Sequence, residues 1–220
     1  MALVFRDELF DAQWLRTAGH ASYGGAELGE CAAAAKRIAE PDGESWFRAW
    51  FELAETVFAA AEKYAAGGSR PAALSSYLRA ANYFRAAYTF LIGAPVDPRL
   101  VDLYRRQRAA FAAAARLMQP AAEPVAIPYG GASLHGYLFR AAIDGRPRPT
   151  LVVTGGYDST AEEAYFFSAA AAVARGYHCL AFDGPGQGAA IIEDGLVFRP
   201  DWEAVIGPVL AGLLIGAFGT

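Results

Sequence analysis

The sequence predicts an α/β protein whose first half is entirely helical. Three observations carry that prediction. Up to Met118, apolar residues recur at helical spacing in alanine-rich segments. After Gln119-Pro120 the spacing changes to the alternation of strands. Two short apolar runs, residues 150–154 and 178–182, then bracket a helical segment, and each ends in a glycine-containing loop. Strand, helix and strand in that order form a βαβ unit, which makes the two strands parallel.

The helices follow in order. Residues 6–19 place Leu9, Phe10, Trp14 and Leu15 at helical spacing. Residues 26–39 form a second helix, closed by Pro41-Asp42-Gly43. The third, 46–66, carries Phe47, Trp50, Phe51, Leu53, Ala54, Val57 and Phe58 on a broad apolar face and stops at Gly67-Gly68. Pro71 opens a helix that runs to Ile92, before Gly93. Asp97-Pro98 supplies a cap and a first-turn proline for the last helix, through Met118. These helices make one region, 1–119, and the rest, 120–220, is a second.

In the second region, residues 125–129, a Gly130-Gly131 turn and 133–140 read as a β-hairpin. Asp144-Gly145 makes a further turn. Residues 150–154 are wholly apolar apart from their threonine ends, as expected of a buried parallel strand. Ser159 and Thr160 with Glu162 and Glu163 offer a capping box, in either register, for a helix over 161–175. A further helix begins near residues 200–206, and from Ala211 the sequence no longer looks like its continuation.

Composition narrows the function. Of 220 residues, 55% are hydrophobic and 19% charged, which excludes disorder as the overall state. The balance of 19 Lys+Arg against 23 Asp+Glu gives a net charge of −4, and no basic run is present. A nucleic-acid partner is therefore not expected. Cys31 and Cys179 belong to no CxxC pair, so neither a disulfide framework nor a zinc site is predicted, and a cytoplasmic location fits. The N-terminus shows no signal peptide. The apolar stretch 205–218 is broken by Gly207, Pro208, Gly212 and Gly216 and is shorter than the roughly 20 residues of a spanning helix, so a membrane role is the weaker reading.

Two loops carry chemistry. Gly155-Gly156-Tyr157-Asp158 follows the first parallel strand directly. Glycines there permit a sharp turn that leaves backbone amides facing the crevice beyond the strand ends, where open α/β sheets bind ligands and where an oxyanion hole can form. A plain strand-to-loop turn is the alternative. Asp183-Gly-Pro-Gly-Gln-Gly188 places a carboxylate at the end of the next strand, before alternating glycines. It is not a dinucleotide fingerprint, because the third glycine of G-x-G-x-x-G would fall on Ala189, and no Gly-Lys-Ser/Thr phosphate loop exists.

The blocks 150–163 and 182–188 together resemble the third and fourth strands of an α/β-hydrolase. More narrowly, they are similar to the capped group that includes dihydroxypseudooxynicotine hydrolase and the fermentation–respiration-switch esterase-like proteins. Residues 19–26, Gly29-Glu-Cys31 and 77–84 resemble that group's helical N-terminal region, so the resemblance covers about residues 8 to 210. It implies an oxyanion-hole amide at Gly156, with Tyr157 the neighbouring candidate, and a substrate site whose wall includes Gly155, Asp158 and Asp183. It also implies a helical cap that selects the substrate, lined by His20, Tyr23 and Glu30; for each of these, a helix-end or interhelical hydrogen bond is the alternative. The implied reaction is hydrolysis of an ester, an amide or a carbon–carbon bond next to a carbonyl in a small molecule, with no cofactor and no metal.

The family's nucleophile elbow, G-x-S-x-G, does not occur. Ser133 in Gly131-Ala-Ser-Leu-His135 is the nearest miss, and it sits in the hairpin rather than on a strand-to-helix turn. The expectation is a truncated family member: a helical cap followed by the N-terminal half, hairpin plus βαβ, of an α/β-hydrolase sheet. Such a chain is expected to be inactive alone and to self-associate or to depend on a partner that completes the sheet. The alternatives are a non-catalytic helical binding module and a membrane-associated protein anchored by its apolar tail.

Overall fold

A computed structural model describes residues 3–214, and these fall into two compact units that divide after Met118. The first unit is helical: α1 (Glu8–Gly19), a 3-10 turn (His20–Tyr23), α2 (Leu28–Ala35), α3 (Gly43–Ala66), α4 (Arg70–Ala87), a second 3-10 turn (Thr89–Leu91) and α5 (Arg99–Leu117). Asp7 caps α1, its carboxylate accepting from the amides of Leu9 and Phe10, and Asp42 caps α3 in the same way through Glu44 and Ser45. Asp97 accepts from the Arg99 amide at 2.8 Å and thereby opens α5.

α4 is the centre of this unit, with nearly every residue from Ser76 to Ala87 buried. It packs chiefly against α3 and α5. Trp46 and Trp50 of α3 are fully buried, and the Trp46 indole N–H donates to the Ala86 carbonyl at 2.7 Å. The apolar stripe of α1 differs from the expected one: Leu9 and Leu15 are exposed, whereas Phe10, Thr17 and Ala18 are buried and Trp14 is half-buried. Phe10 meets Trp46 and stacks on Phe90, and this contact, not local hydrophobicity, sets the rotation of α1. Thr17 is accommodated because its hydroxyl donates to Gln13 O in the preceding turn. α2 and α4 are shorter than expected: Lys36 ends α2, and the chain after Ala87 tightens into the 3-10 turn.

The second unit holds β1 (Glu123–Tyr129), β2 (Ala132–Phe139), β3 (Thr150–Val153) and β4 (His178–Phe182) in one sheet of order β1-β2-β4-β3. The hairpin forms as predicted, with Tyr129 opposite Ala132 and both turn glycines at positive φ, +54° and +86°. β2 and β4 are antiparallel, β3 and β4 parallel, with Thr150 opposite His178. β3 therefore forms an edge of the sheet.

Alternate residues Val125 and Ile127 of β1, Leu134 and Leu138 of β2, and Leu180 and Phe182 of β4 build one core face. It is closed by Ala190 of α8 (Gly188–Ile192) and by Val205 and Val209 of α9 (Glu203–Leu214). α8 was not foreseen, being a five-residue helix inside a glycine-rich segment. α9 runs through Ala211 to Leu214, correcting the expected break there, because Val205, Val209 and Leu213 keep one apolar side turned to the sheet. The rest of the predicted apolar tail lies outside the described residues.

The crossover between β3 and β4 comprises α6 (Ala161–Ala164), a π-helical segment (Tyr165–Ala169) and α7 (Ala170–Ala174). The predicted helix is present, but one turn of it is wide: the Ala170 amide donates to Tyr165 O, five residues back. Tyr165 packs on Phe139 of β2, their ring centroids 5.5 Å apart.

Candidate functional site

Because β3 and β4 are parallel neighbours, the loops that follow them emerge at the same end of the sheet. Gln187 ties these two loops together. Its carbonyl oxygen accepts from the Thr154 hydroxyl at 2.6 Å and from the Gly184 amide at 3.0 Å, while its amide nitrogen donates to Gly155 O. The side chain is 2% exposed, so these bonds form away from competing water.

Asp183 holds the same region from below. Its carboxylate accepts from the Ala161 amide at 2.7 Å and from the Ala189 amide at 3.0 Å, which places one buried charge at the starts of both α6 and α8. Gly188 has φ +37°, and a Cβ there would stand 2.0 Å from Asp183 Oδ2, so only glycine fits against the carboxylate. Thr160 caps α6 by accepting from the Glu163 amide at 3.2 Å, which is the Thr160–Glu163 register of the predicted capping box, and Ser159 Oγ donates to the same Glu163 at 3.1 Å.

Between these anchors, the loop after β3 turns back on itself, the Ser159 amide donating to Gly156 O at 3.2 Å. Gly156 and Tyr157 are exposed, and Asp158 is half-buried. Among the described residues, the amides of Gly156 and Tyr157 donate no hydrogen bond. The structure thus brings Gly155, Gly156, Tyr157, Asp158 and Asp183 into two loops joined by Gln187, a residue that sequence reasoning passed over. The available signal was a lone polar side chain of hydrogen-bonding shape inside a glycine-rich loop.

His20, Tyr23 and Glu30 belong to the helical unit. His20 is buried, and its Nδ1 stands 2.9 Å from Asn82 Oδ1. Asn82 donates through Nδ2 to Thr17 O and Gly25 O, which fixes its amide orientation and makes Nδ1 the protonated nitrogen of His20. Glu30 accepts from the Tyr83 hydroxyl at 2.7 Å and pairs with Arg79 at 3.1 Å. Tyr83 in turn accepts from the Glu27 amide, and burial raises its hydroxyl far above the ordinary tyrosine range. Both His20 and Glu30 therefore make interhelical hydrogen bonds, and Tyr23 is half-buried in the 3-10 turn.

Ser133 lies within β2, opposite Pro128, on regular strand backbone. His135 shares its face of the strand, 3.7 Å from Asp194. Neither thiol is accessible: burial raises Cys31 to about 11 and Cys179 to about 12. Among the described residues, no helix is long and apolar enough to cross a membrane.

Comparison with known proteins gives the arrangement its context. No family model matches the chain. The hydrolase LUC6 of Fusarium sp is 43% identical over 215 residues, a span of 96% of this chain and 51% of that protein. The alpha/beta hydrolase psoB of Aspergillus fumigatus is 40% identical over 214 residues, 94% of this chain and 48% of that protein. The crystal structure of 2,6-dihydroxy-pseudo-oxynicotine hydrolase superposes with a TM-score of 0.74 at 26% identity, covering 89% of this chain and 53% of that one. The chain spans about half the length of the curated relatives it matches. A four-stranded sheet with a parallel β3–β4 crossover, following a helical unit in the sequence and with these relatives, makes the chain an α/β-hydrolase-like protein corresponding to about half of the relatives' length.

Proposed function

We propose that this chain carries the oxyanion-binding and substrate-selecting part of a small-molecule hydrolase. The reaction is cleavage of an ester, an amide or a carbon–carbon bond next to a carbonyl. One observation carries the reading: Gly156 and Tyr157 present two amide N–H groups without protein acceptors at the end of β3, on a loop that Gln187 holds in place. Such donors stabilise the oxyanion of a tetrahedral intermediate, an effect worth roughly a hundred- to a thousandfold in rate per donor. Asp183 serves this site by fixing the two loops, because its carboxylate is committed to backbone amides. Residues 1–119 act as the cap that selects the substrate.

The nucleophile and its base are supplied from outside this sequence, since no G-x-S-x-G occurs in it. The side of β3 that is unpaired among the described residues is the natural place for the completing strand, from a partner or from a second copy. Two measurements test the reading. The isolated chain should hydrolyse 4-nitrophenyl acetate no faster than a denatured control; saturable turnover abolished by Ser133→Ala would instead place the nucleophile on β2. Size-exclusion chromatography with light scattering should show self-association, and a dilution-resistant monomer that binds little hydrophobic dye would refute the open-edge argument.

A further inference from the structure

A second concave site lies at the opposite end of the sheet, where β3 and β4 begin. It is a groove of about 560 Å³, lined by Glu123, Arg140, Ile143, Arg146, Pro147 and His178 among others. That volume falls within the range of small-molecule sites.

The charges around it do not cancel. Arg140 grips Glu123 with two hydrogen bonds, at 2.7 and 3.3 Å. Arg148 grips Asp144 the same way, at 2.5 and 2.7 Å. Each carboxylate is thus taken by its own guanidinium. Arg146 is left with one long approach, 3.9 Å from Asp144, and its side chain is 82% exposed. The groove therefore carries one positive charge in excess.

His178 adds a neutral donor. The Ala141 amide donates to its Nδ1 at 3.1 Å, so the ring proton is on Nε2. Burial and the nearby charges of Arg140 and Arg148 keep this ring neutral near neutral pH. Beside these polar groups the wall is apolar, and Ile143 leaves 77% of its surface in water.

We propose that this groove binds a small amphipathic monocarboxylate, with Arg146 matching the charge, His178 offering a neutral N–H, and Ile143 and Pro147 covering the apolar body. A single surplus cation matches a monoanion, whereas a dianion would leave one charge unpaired in the groove. The apolar part of the lining, Ala142, Ile143 and Pro147 side by side, suits a ligand with a hydrocarbon portion.

The test is an NMR titration of the intact chain with hexanoate near neutral pH, with hexan-1-ol and inorganic phosphate as comparison probes. Hexanoate should produce saturable shifts at the amides of Ile143, Gly145 and His178, with a dissociation constant on the order of 1 mM. Arg146→Gln should weaken it by about three- to fivefold, the value of an exposed charge pair. Ile143→Ser should weaken it independently, and because both side chains are exposed, the same spectra report that each variant is folded. Shifts that fail to saturate at about ten times that concentration would overturn the proposal. So would hexanol binding as tightly as hexanoate, phosphate binding more tightly, or an unchanged affinity in Arg146→Gln.

Discussion

Replacing Asp183 by alanine should loosen the candidate site more than any other single change. The wild-type carboxylate receives the amides of Ala161 and Ala189 at 2.7 and 3.0 Å in surroundings that leave it 2% exposed. Alanine deletes both acceptors and leaves two buried N–H groups, at about 1–3 kcal/mol each. The expected loss is about 4 kcal/mol, close to a thousandfold in the opening equilibrium. Asp183→Asn keeps one carbonyl oxygen but turns an NH2 group towards the second amide, so about half of that loss should follow. Amide hydrogen exchange at Ala161 and Ala189 is the direct assay, because both groups report the local opening that frees them. Protection should fall steeply in Asp183→Ala and by an intermediate amount in Asp183→Asn. If exchange at both amides stays within about threefold of wild type in Asp183→Ala, the carboxylate does not hold the loops and the argument fails.

Gln187→Leu keeps the volume but removes three hydrogen bonds that join the loops, so exchange at Gly184 should accelerate by about tenfold or more while the far-UV circular dichroism stays unchanged; unaltered exchange would refute the clamp. His178 has its pKa lowered from 6.5 by burial first and by Arg140 and Arg148 next, so the unfolded chain takes up its proton before the native one. The stability due to neutral His178 should therefore be complete above pH 6.5 and lost as pH falls from 6.5 through the lower native value, and His178→Gln should flatten that slope; a ring titration at or above 6.5 would contradict it. Cys31 and Cys179, both fully buried and raised to about 11 and about 12, should resist a thiol-specific disulfide reagent at pH 8 until the chain is unfolded, and rapid reaction of either one in the native state would show that its unit opens.

Elements whose signals are local were legible in the sequence. The hairpin follows from alternation around Gly130-Gly131, and the crossover helix from Thr160 and Glu163. What escaped depends on partners distant in sequence. Leu15 is as apolar as Phe10, yet α1 turns Thr17 inward because Phe10 docks on Trp46 and Phe90, contacts invisible to periodicity. Within the candidate site, the glycines and Asp183 could be found from their place after two apolar strands. The use of Asp183 could not, because its acceptors serve amides 22 residues before it and six residues after it. Gln187 likewise acquires meaning only when the chain returns alongside Thr154 and Gly155, more than 30 residues earlier.

The wide turn at residues 165–169 makes the crossover a segment of adjustable length. A π-helical turn absorbs one residue more than an α-helical turn for the same advance, and each residue rotates the following side chains by about 100°. Upstream, all four residues of α6 are buried; downstream, Phe166, Ala169 and Ala172 keep an inward spacing of three, while Phe167 points out. The extra residue thus sits where the fully buried α6 gives way to a helix with one buried side. Loss of one residue here would leave an uninterrupted α-helix between the same strand ends, with no loop to rebuild. Single-residue insertions and deletions among related sequences should accumulate in this turn rather than in Gly155–Asp158 or Asp183–Gly188, whose spacing is locked by the Gln187 and Asp183 hydrogen bonds.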